Sequence, residues 1–294
     1  MSERPLHILF APSLREGPWR QAITAAAQAK GLSVGVWGGE PADVVLVDHL
    51  EPDQLDGLTP SEWVVLGDAP EAGLTAYGDA YQEFPPAAHA WMAASKRLAM
   101  AATLVERGAP VLGMPAMALG LPRLGLVSQT ITGIPEDNAG PTAPVLAMYQ
   151  RLPPLMGARA AWSADRFNYP LRDDPLGGTP RMDLTGRART LMFGPYVWLP
   201  PGAWRATLKI MVDPEGGEVP LWFDWGCGED VATVREMIDQ AGFYSLTLDH
   251  VWTRPGAAQL RIVLSQAVFQ GRMEVLDCQI ERIEPPAPAG ADSL

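Results

Sequence analysis

At 294 residues the chain is longer than one hydrophobic core usually serves, so two domains are expected. With 47% apolar and 19% charged residues and a mean hydropathy of +0.01, its composition excludes a disordered or membrane-dominated chain. A net charge of -12 and a pI of about 4.8 weigh against nucleic acid and anionic lipid as partners, which need clustered Lys and Arg; a neutral ligand, a cationic ligand or a protein partner fits better.

The chain opens on a short apolar run ending before Ser13 and Arg15, too short for a signal segment, and reads as a first strand over residues 7–11. No run approaches the ~20 apolar residues of a membrane span, so a cytoplasmic protein is expected. Cys227 and Cys278 form neither a disulfide framework nor a CxxC pair and read as buried small hydrophobes. A helix follows over 18–30 (PWRQAITAAAQAK), with Pro18 in its first turn and Gly31 at its end. Strands are expected at 33–37, 44–48 and 63–67, a long alanine-rich helix at 86–107 stopped by Gly108, and a short strand at 111–113. The unbroken apolar run DVVLVD (43–48) implies burial on both faces, hence a mainly parallel sheet between helices. Residues 1–127 are therefore a small wound α/β domain.

Residues 128–182 carry Pro135, Pro141, Pro144, Pro153, Pro154, Pro170, Pro175, Pro180, Gly177 and Gly178, and read as a linker or extended segment with one short helix near 143–151. From Asp183 the period changes to two. Strands are expected at 189–193, 203–212, 220–225, 242–251, 259–265 and 271–283, separated by turns such as Pro200-Pro201-Gly202 and Arg254-Pro255-Gly256. Regular short strands with turn punctuation predict an antiparallel β-sandwich over 183–284, and the Pro/Ala-rich residues 285–294 a disordered tail.

The stretch 193–208 (FGPYVWLPPGAWRATL) resembles the opening of galactose-binding-like and carbohydrate-binding-module jelly rolls. The runs 260–264 (LRIVL) and 271–281 (GRMEVLDCQIE) are similar to the last two strands of such modules. The resemblance implies a jelly roll. Because members of that superfamily bind sugars, peptides or lipids, it specifies a fold better than a ligand. The first half resembles flavodoxin-like or receiver-like layers loosely, through 43–48 and the loop 52–57. Its first strand ends in Phe10-Ala11-Pro12, where a receiver needs an acidic pair, which weighs against phosphotransfer at Asp48.

Nucleotide binding on a wound sheet needs glycines at the first strand–helix turn. Here that turn, 11–18, holds one glycine and two prolines, and no GxGxxG or Walker A sequence occurs in the chain. Ser13 and Arg15 are able to hold an anion there, although a capped loop is the favoured reading. No GxSxG surrounds a serine, and the four histidines are His7, His49, His89 and His250. His7 reads as a core residue and His89, beside Trp91, as a surface one. Asp48 and His49 stand at one strand end and Asp68 at another, so with Ser13 and Arg15 they form a candidate cleft, against the plainer reading of strand-end caps. Asp224, Glu229 and Asp230 cluster as carboxylates for glycoside hydrolysis or calcium, but their spacing matches no specific loop, and no cofactor is expected.

The aromatics are the most suggestive feature: Trp162, Trp198, Trp204, Trp222, Trp225 and Trp252, with Tyr196 and Tyr244. Sugars stack their C–H faces on flat rings while neighbouring polar groups bind hydroxyls. Trp204 and Trp222 read as core. Trp198, Trp225 and Trp252, with Asp224 and His250, form the expected ligand site for a glycan or small sugar-like ligand. The expected function is a non-catalytic accessory protein tied to bacterial polysaccharide or glycoconjugate assembly. The alternatives are a sugar-nucleotide-using transferase with its cleft at Ser13, Arg15, Asp48, His49 and Asp68, or a protein–protein interaction module.

Overall fold

The computed structural model describes residues 4–68, 86–129, 143–170 and 180–285. Readings that concern Pro135, Pro141, Pro175, Gly177, Gly178, the side chain of His89 and the last nine residues lie outside the described part. The chain divides into two compact units, Met1–Leu155 and Met156–Leu294.

In the first unit β1 (Leu6–Phe10), β2 (Val34–Val36), β3 (Val44–Val47), β4 (Trp63–Gly67) and β5 (Val111–Gly113) form a parallel sheet in the order β2-β3-β1-β4-β5. Every residue of β3 and β4 is buried, as their unbroken apolar runs require. Helix α1 (Glu16–Ala29) buries Trp19, Ile23 and Ala27, one helical face, and the Trp19 indole N–H donates to the Met114 carbonyl at 2.9 Å. It begins two residues before Pro18, because Glu16 in the first turn meets the positive end of the helix dipole. Helix α2 (Pro86–Glu106) leads to β5, and no helix among the described residues is long and apolar enough to cross a membrane. A hairpin of β6 (Ala118–Leu121) and β7 (Gly125–Ser128) follows, unanticipated because its two strands are only four residues long. His7, half-buried in β1, stacks on Trp63 at 4.6 Å and meets Trp37 edge-on at 5.5 Å.

The second unit is an antiparallel jelly-roll sandwich. Its strands are β8 (Arg159–Ser163), β9 (Arg181–Asp183), β10 (Arg189–Leu199), β11 (Gly202–Asp213), β12 (Val219–Cys227), β13 (Asp230–Ile238), β14 (Gly242–Trp252), β15 (Gly256–Leu264) and β16 (Arg272–Ile283). One sheet has the order β10-β15-β12-β13 and the other β14-β11-β16-β8, with β9 also on β16. From β10 onward the chain passes between sheets at each turn except the β12–β13 hairpin. That hairpin demands glycine at 226, where a Cβ would lie 2.1 Å from the Asp230 carbonyl oxygen.

Between the sheets Trp162, Trp204 and Trp225 are fully buried. Trp162 meets Trp225 edge-on at 5.8 Å, Trp225 meets Trp252 at 5.0 Å, and Trp252 meets His250 at 4.6 Å. The Trp225 indole N–H donates to the Trp204 carbonyl and the Trp204 indole N–H to the Pro200 carbonyl, both at 3.1 Å, so neither ring leaves an orphan donor in the core.

The sandwich begins earlier than residue 183. β8, in the segment expected as a linker, pairs with β16 from Asp277–Ser163 to Glu281–Arg159. Its Arg-Ala-Ala-Trp-Ser run buries alternate residues, a period-two signal masked by the prolines around it. β13 was also unexpected, because an edge strand with mostly exposed positions lacks the apolar alternation of its neighbours.

Two outcomes follow. Trp225→Ala should cost about 3–5 kcal/mol in urea unfolding, the range for a large buried aromatic; a loss below about 1 kcal/mol would remove Trp225 from the core. Burial holds the His7 pKa below its ordinary 6.5, against an opposing hydrogen bond and charge from Glu62. Neutral His7 is thus favoured in the native state, and its contribution is present above pH 6.5 and lost as pH falls through the lowered native value. The stability of the protein relative to a His7→Gln variant should fall over that window; parallel pH profiles would contradict the assignment.

Candidate functional site

The buried side of β12 is set by Leu221, Phe223 and Trp225, all without exposure, so Trp222 and Asp224 point to the opposite face. On β15 the buried Leu260, Ile262 and Leu264 send Gln259, Arg261 and Val263 to that same outer face. Strand register then aligns rows across the sheet. Phe193 of β10, Arg261, Asp224 and Thr233 of β13 form one row, and Val263, Trp222 and Arg235 the next.

These side chains interact. The Thr233 hydroxyl donates to Asp224 Oδ1 at 2.7 Å, and Arg261 Nη2 lies 3.1 Å from Asp224 Oδ2. Gln259 Nε2 donates to the Tyr196 hydroxyl oxygen at 3.1 Å. The Arg235 guanidinium sits 4.5 Å from the Trp222 ring centroid, a cation–π contact. Tyr196 has φ +63°, a left-handed conformation unusual for a tyrosine, at an irregularity between Pro195 and Val197. That bulge aims its ring at the face, 6.2 Å from Phe193, and burial pushes the phenol pKa up so that the hydroxyl keeps its proton. Trp198, half-buried, stands further along β10 opposite Ala257. From the row of Trp222 to that of Trp198 is six residues along β15 and two strands across. At ~3.3 Å per residue and ~4.8 Å per strand, the rings end about 22 Å apart on the diagonal.

The expected ligand set therefore divides. Trp198 and Asp224 belong to the outer face. Trp225 and Trp252 are core residues and present no ring to a ligand. His250, opposite Trp204 on β14, also points inward; its side chain is 11% exposed, with Nε2 3.5 Å from Asp230 Oδ2. Trp222, expected in the core, is 38% exposed on the outer face. Tyr196, Gln259, Arg261, Thr233 and Arg235 were missed. Counting by two from Leu221 would have placed Trp222 and Trp225 on opposite sides.

In the first unit β1 lies between β3 and β4, the switch point where open sheets place ligands, and the expected cleft residues gather at its carboxyl end. The Ser13 hydroxyl donates to Asp68 Oδ2 at 2.5 Å, and Arg15 Nη1 reaches the same oxygen at 2.8 Å. Arg20 pairs with Asp48 and with Glu16, and Arg97 with Glu16 at 2.7 Å. Each guanidinium already faces a carboxylate, so an anionic ligand would have to break an existing pair. His49 is exposed, and among the described residues no hydrogen bond or ion pair joins it to this cluster. Ser13, Arg15, Asp48 and Asp68 of the expected cleft thus sit in an internally paired network. Among the described residues no three His, Cys, Asp or Glu side chains converge as a metal site requires; of the residues considered for calcium, Asp224 is held by Thr233 and Arg261.

No protein-family model and no curated protein matches the chain. Among solved structures, the CBM22-1 xylan-binding domain from Paenibacillus barcinonensis Xyn10C matches with a TM-score of 0.30 at 11% identity, over 45% of this chain and 98% of that one. TmCBM61 in complex with beta-1,4-galactotriose matches with a TM-score of 0.28 at 12% identity, over 42% and 82%. The CBM36-1 domain of a multidomain xylanase from the hindgut metagenome of Trinervitermes trinervoides matches with a TM-score of 0.30 at 10% identity, over 43% and 99%. These are carbohydrate-binding modules.

The two outward residues of β12 should respond differently to truncation. Asp224→Ala strands the Arg261 guanidinium and should lower stability by about 1–3 kcal/mol, whereas Trp222→Ala should cost less than about 1 kcal/mol. Urea midpoints in the reverse order would place Trp222, not Asp224, in the packed interior.

Proposed function

We propose that the sandwich is a non-catalytic saccharide-binding module whose ligand lies along the outer face of the β10-β15-β12-β13 sheet. The observation that carries this reading is the register that puts Trp198, Tyr196, Phe193 and Trp222 on the same side as the row of Arg261, Asp224 and Thr233. Rings offer the flat apolar surface that sugar C–H faces stack on, and the row between them offers fixed donors and acceptors for hydroxyls. A face about 22 Å long suits an oligosaccharide of several units rather than a single sugar.

The same row supports binding without cleavage. Glycoside hydrolysis needs two carboxylates across the scissile bond, and Asp224 is paired instead with Thr233 and Arg261. An accessory role in polysaccharide or glycoconjugate assembly is the physiological setting we propose, since the module is joined to an α/β unit whose own switch point is occupied by internal ion pairs.

A glycan array followed by titration calorimetry tests the reading. Trp222→Ala and Trp198→Ala should each weaken binding at least about tenfold, equivalent to ~1.4 kcal/mol, with the fold retained in urea unfolding. Binding indifferent to both substitutions, or no saccharide bound by the intact protein, would sink it.

A further inference from the structure

We infer that the saccharide recognised by the outer face is acidic, carrying carboxylate groups read by Arg261 and Arg235; this rests on the saccharide-binding reading of the face. The outward positions of β12, β15 and β13 carry two cations, Arg261 and Arg235, and one anion, Asp224, a local balance of +2 − 1 = +1 in a chain of net charge -12. The outer side of the opposite sheet is built differently. There Arg205 meets Asp249 at 2.7 Å, Arg159 meets Glu281 at 3.0 Å, and Arg181 meets Glu274 at 2.7 Å. Each of these arginines meets a carboxylate, and Arg272 meets two, Asp213 at 3.0 Å and Glu215 at 2.9 Å, whereas on the candidate face two arginines stand beside one acid.

Arg261 is also incompletely used. A guanidinium has five N–H donors, and here one nitrogen, Nη2, contacts Asp224 at 3.1 Å. Its Nε is buried without a hydrogen-bond partner, which costs free energy that a ligand oxygen would recover after a small side-chain shift. The side chain is 33% exposed and sits in the middle row, flanked by Phe193 and Asp224. Asp224, itself fixed by Thr233, anchors one end of the fork and leaves the remaining donors for a planar anion, the geometry a carboxylate matches.

Arg235 supplies the second charge. Its guanidinium carbon lies 4.5 Å from the Trp222 ring centroid, a cation–π contact that holds the charge beside a ring of the candidate face. Arg235 is two strands and two residues from Arg261, about 12 Å, so the two cations would meet different units of one chain. Recognition of several charges along an acidic chain fits this spacing better than recognition of a single charged sugar.

The test uses calorimetry on the full chain with hexamers of galacturonate, glucuronate and mannuronate, each beside its fully methyl-esterified form, and with a sulfated neutral hexamer as a separate arm. The expected result is that at least one free acid binds ten or more times tighter than its ester, with the difference shrinking as salt rises. Arg261→Gln should abolish that preference and Arg261→Lys should retain part of it, while Trp222→Ala weakens acid and ester alike. Because Arg261→Gln strands Asp224, the pair Asp224→Asn with Arg261→Gln serves as a second variant, with its urea midpoint as the folding control. Equal or tighter binding of the esters, or preference for the sulfated hexamer alone, overturns the uronate inference and leaves the saccharide reading standing. No binding of any hexamer, with none on the neutral glycan array, overturns both.

Discussion

Burial of Trp162, Trp204 and Trp225 between two sheets is the constraint on which the second unit depends. Each such ring removes ~150–250 Å² from water, worth about 4–6 kcal/mol before conformational entropy is counted. In a strand, the side chain after a buried one must face the other way, and one residue of slip would expose every ring. Fixing Trp225 and Phe223 inward therefore fixes Asp224 and Trp222 outward, and the same parity on β15 sends Gln259 and Arg261 to join them. The candidate face is the complement of the core.

That parity was available in the sequence but not decisive there. The alternation over 203–212 was strong enough to place Trp204 inside, and apolar period and turn residues gave the order of the other main elements, without β6, β7, β8, β9 and β13. Trp222 and Trp225 are three apart, so they cannot share a face of one strand, yet a strand of nine residues with apolar groups on both sides conceals which parity is buried. β8 was hidden by the prolines around it, and β13 by the polarity of an edge. Pairings such as Asp224–Arg261 and Gln259–Tyr196 join positions 37 and 63 residues apart, and only the register of non-consecutive strands brings them together. Local pattern reports which way a side chain points; partner identity is a property of topology.

The two units make contrasting use of charge. At the carboxyl end of the parallel sheet, Asp68 with Arg15 and Asp48 with Arg20 close on one another, so a location that favours ligands on geometric grounds is electrically complete. On the sandwich face the arginines outnumber the acid. A whole-chain charge of -12 pointed away from an anionic ligand. At physiological salt, however, exposed charges are screened beyond ~8 Å, so a ligand on the face responds to Arg261, Arg235 and Asp224 far more than to the distant remainder. Net charge describes solubility and long-range encounter, while the site is governed by its own neighbours.

The most direct measurement is the indole N–H region of a two-dimensional NMR spectrum during titration with a bound oligosaccharide. The signals of Trp222 and Trp198 should move, while those of Trp204 and Trp225, committed to the Pro200 and Trp204 carbonyls, should stay in place. Movement confined to Trp204 and Trp225, with Trp222 and Trp198 unchanged, would contradict the outer-face reading.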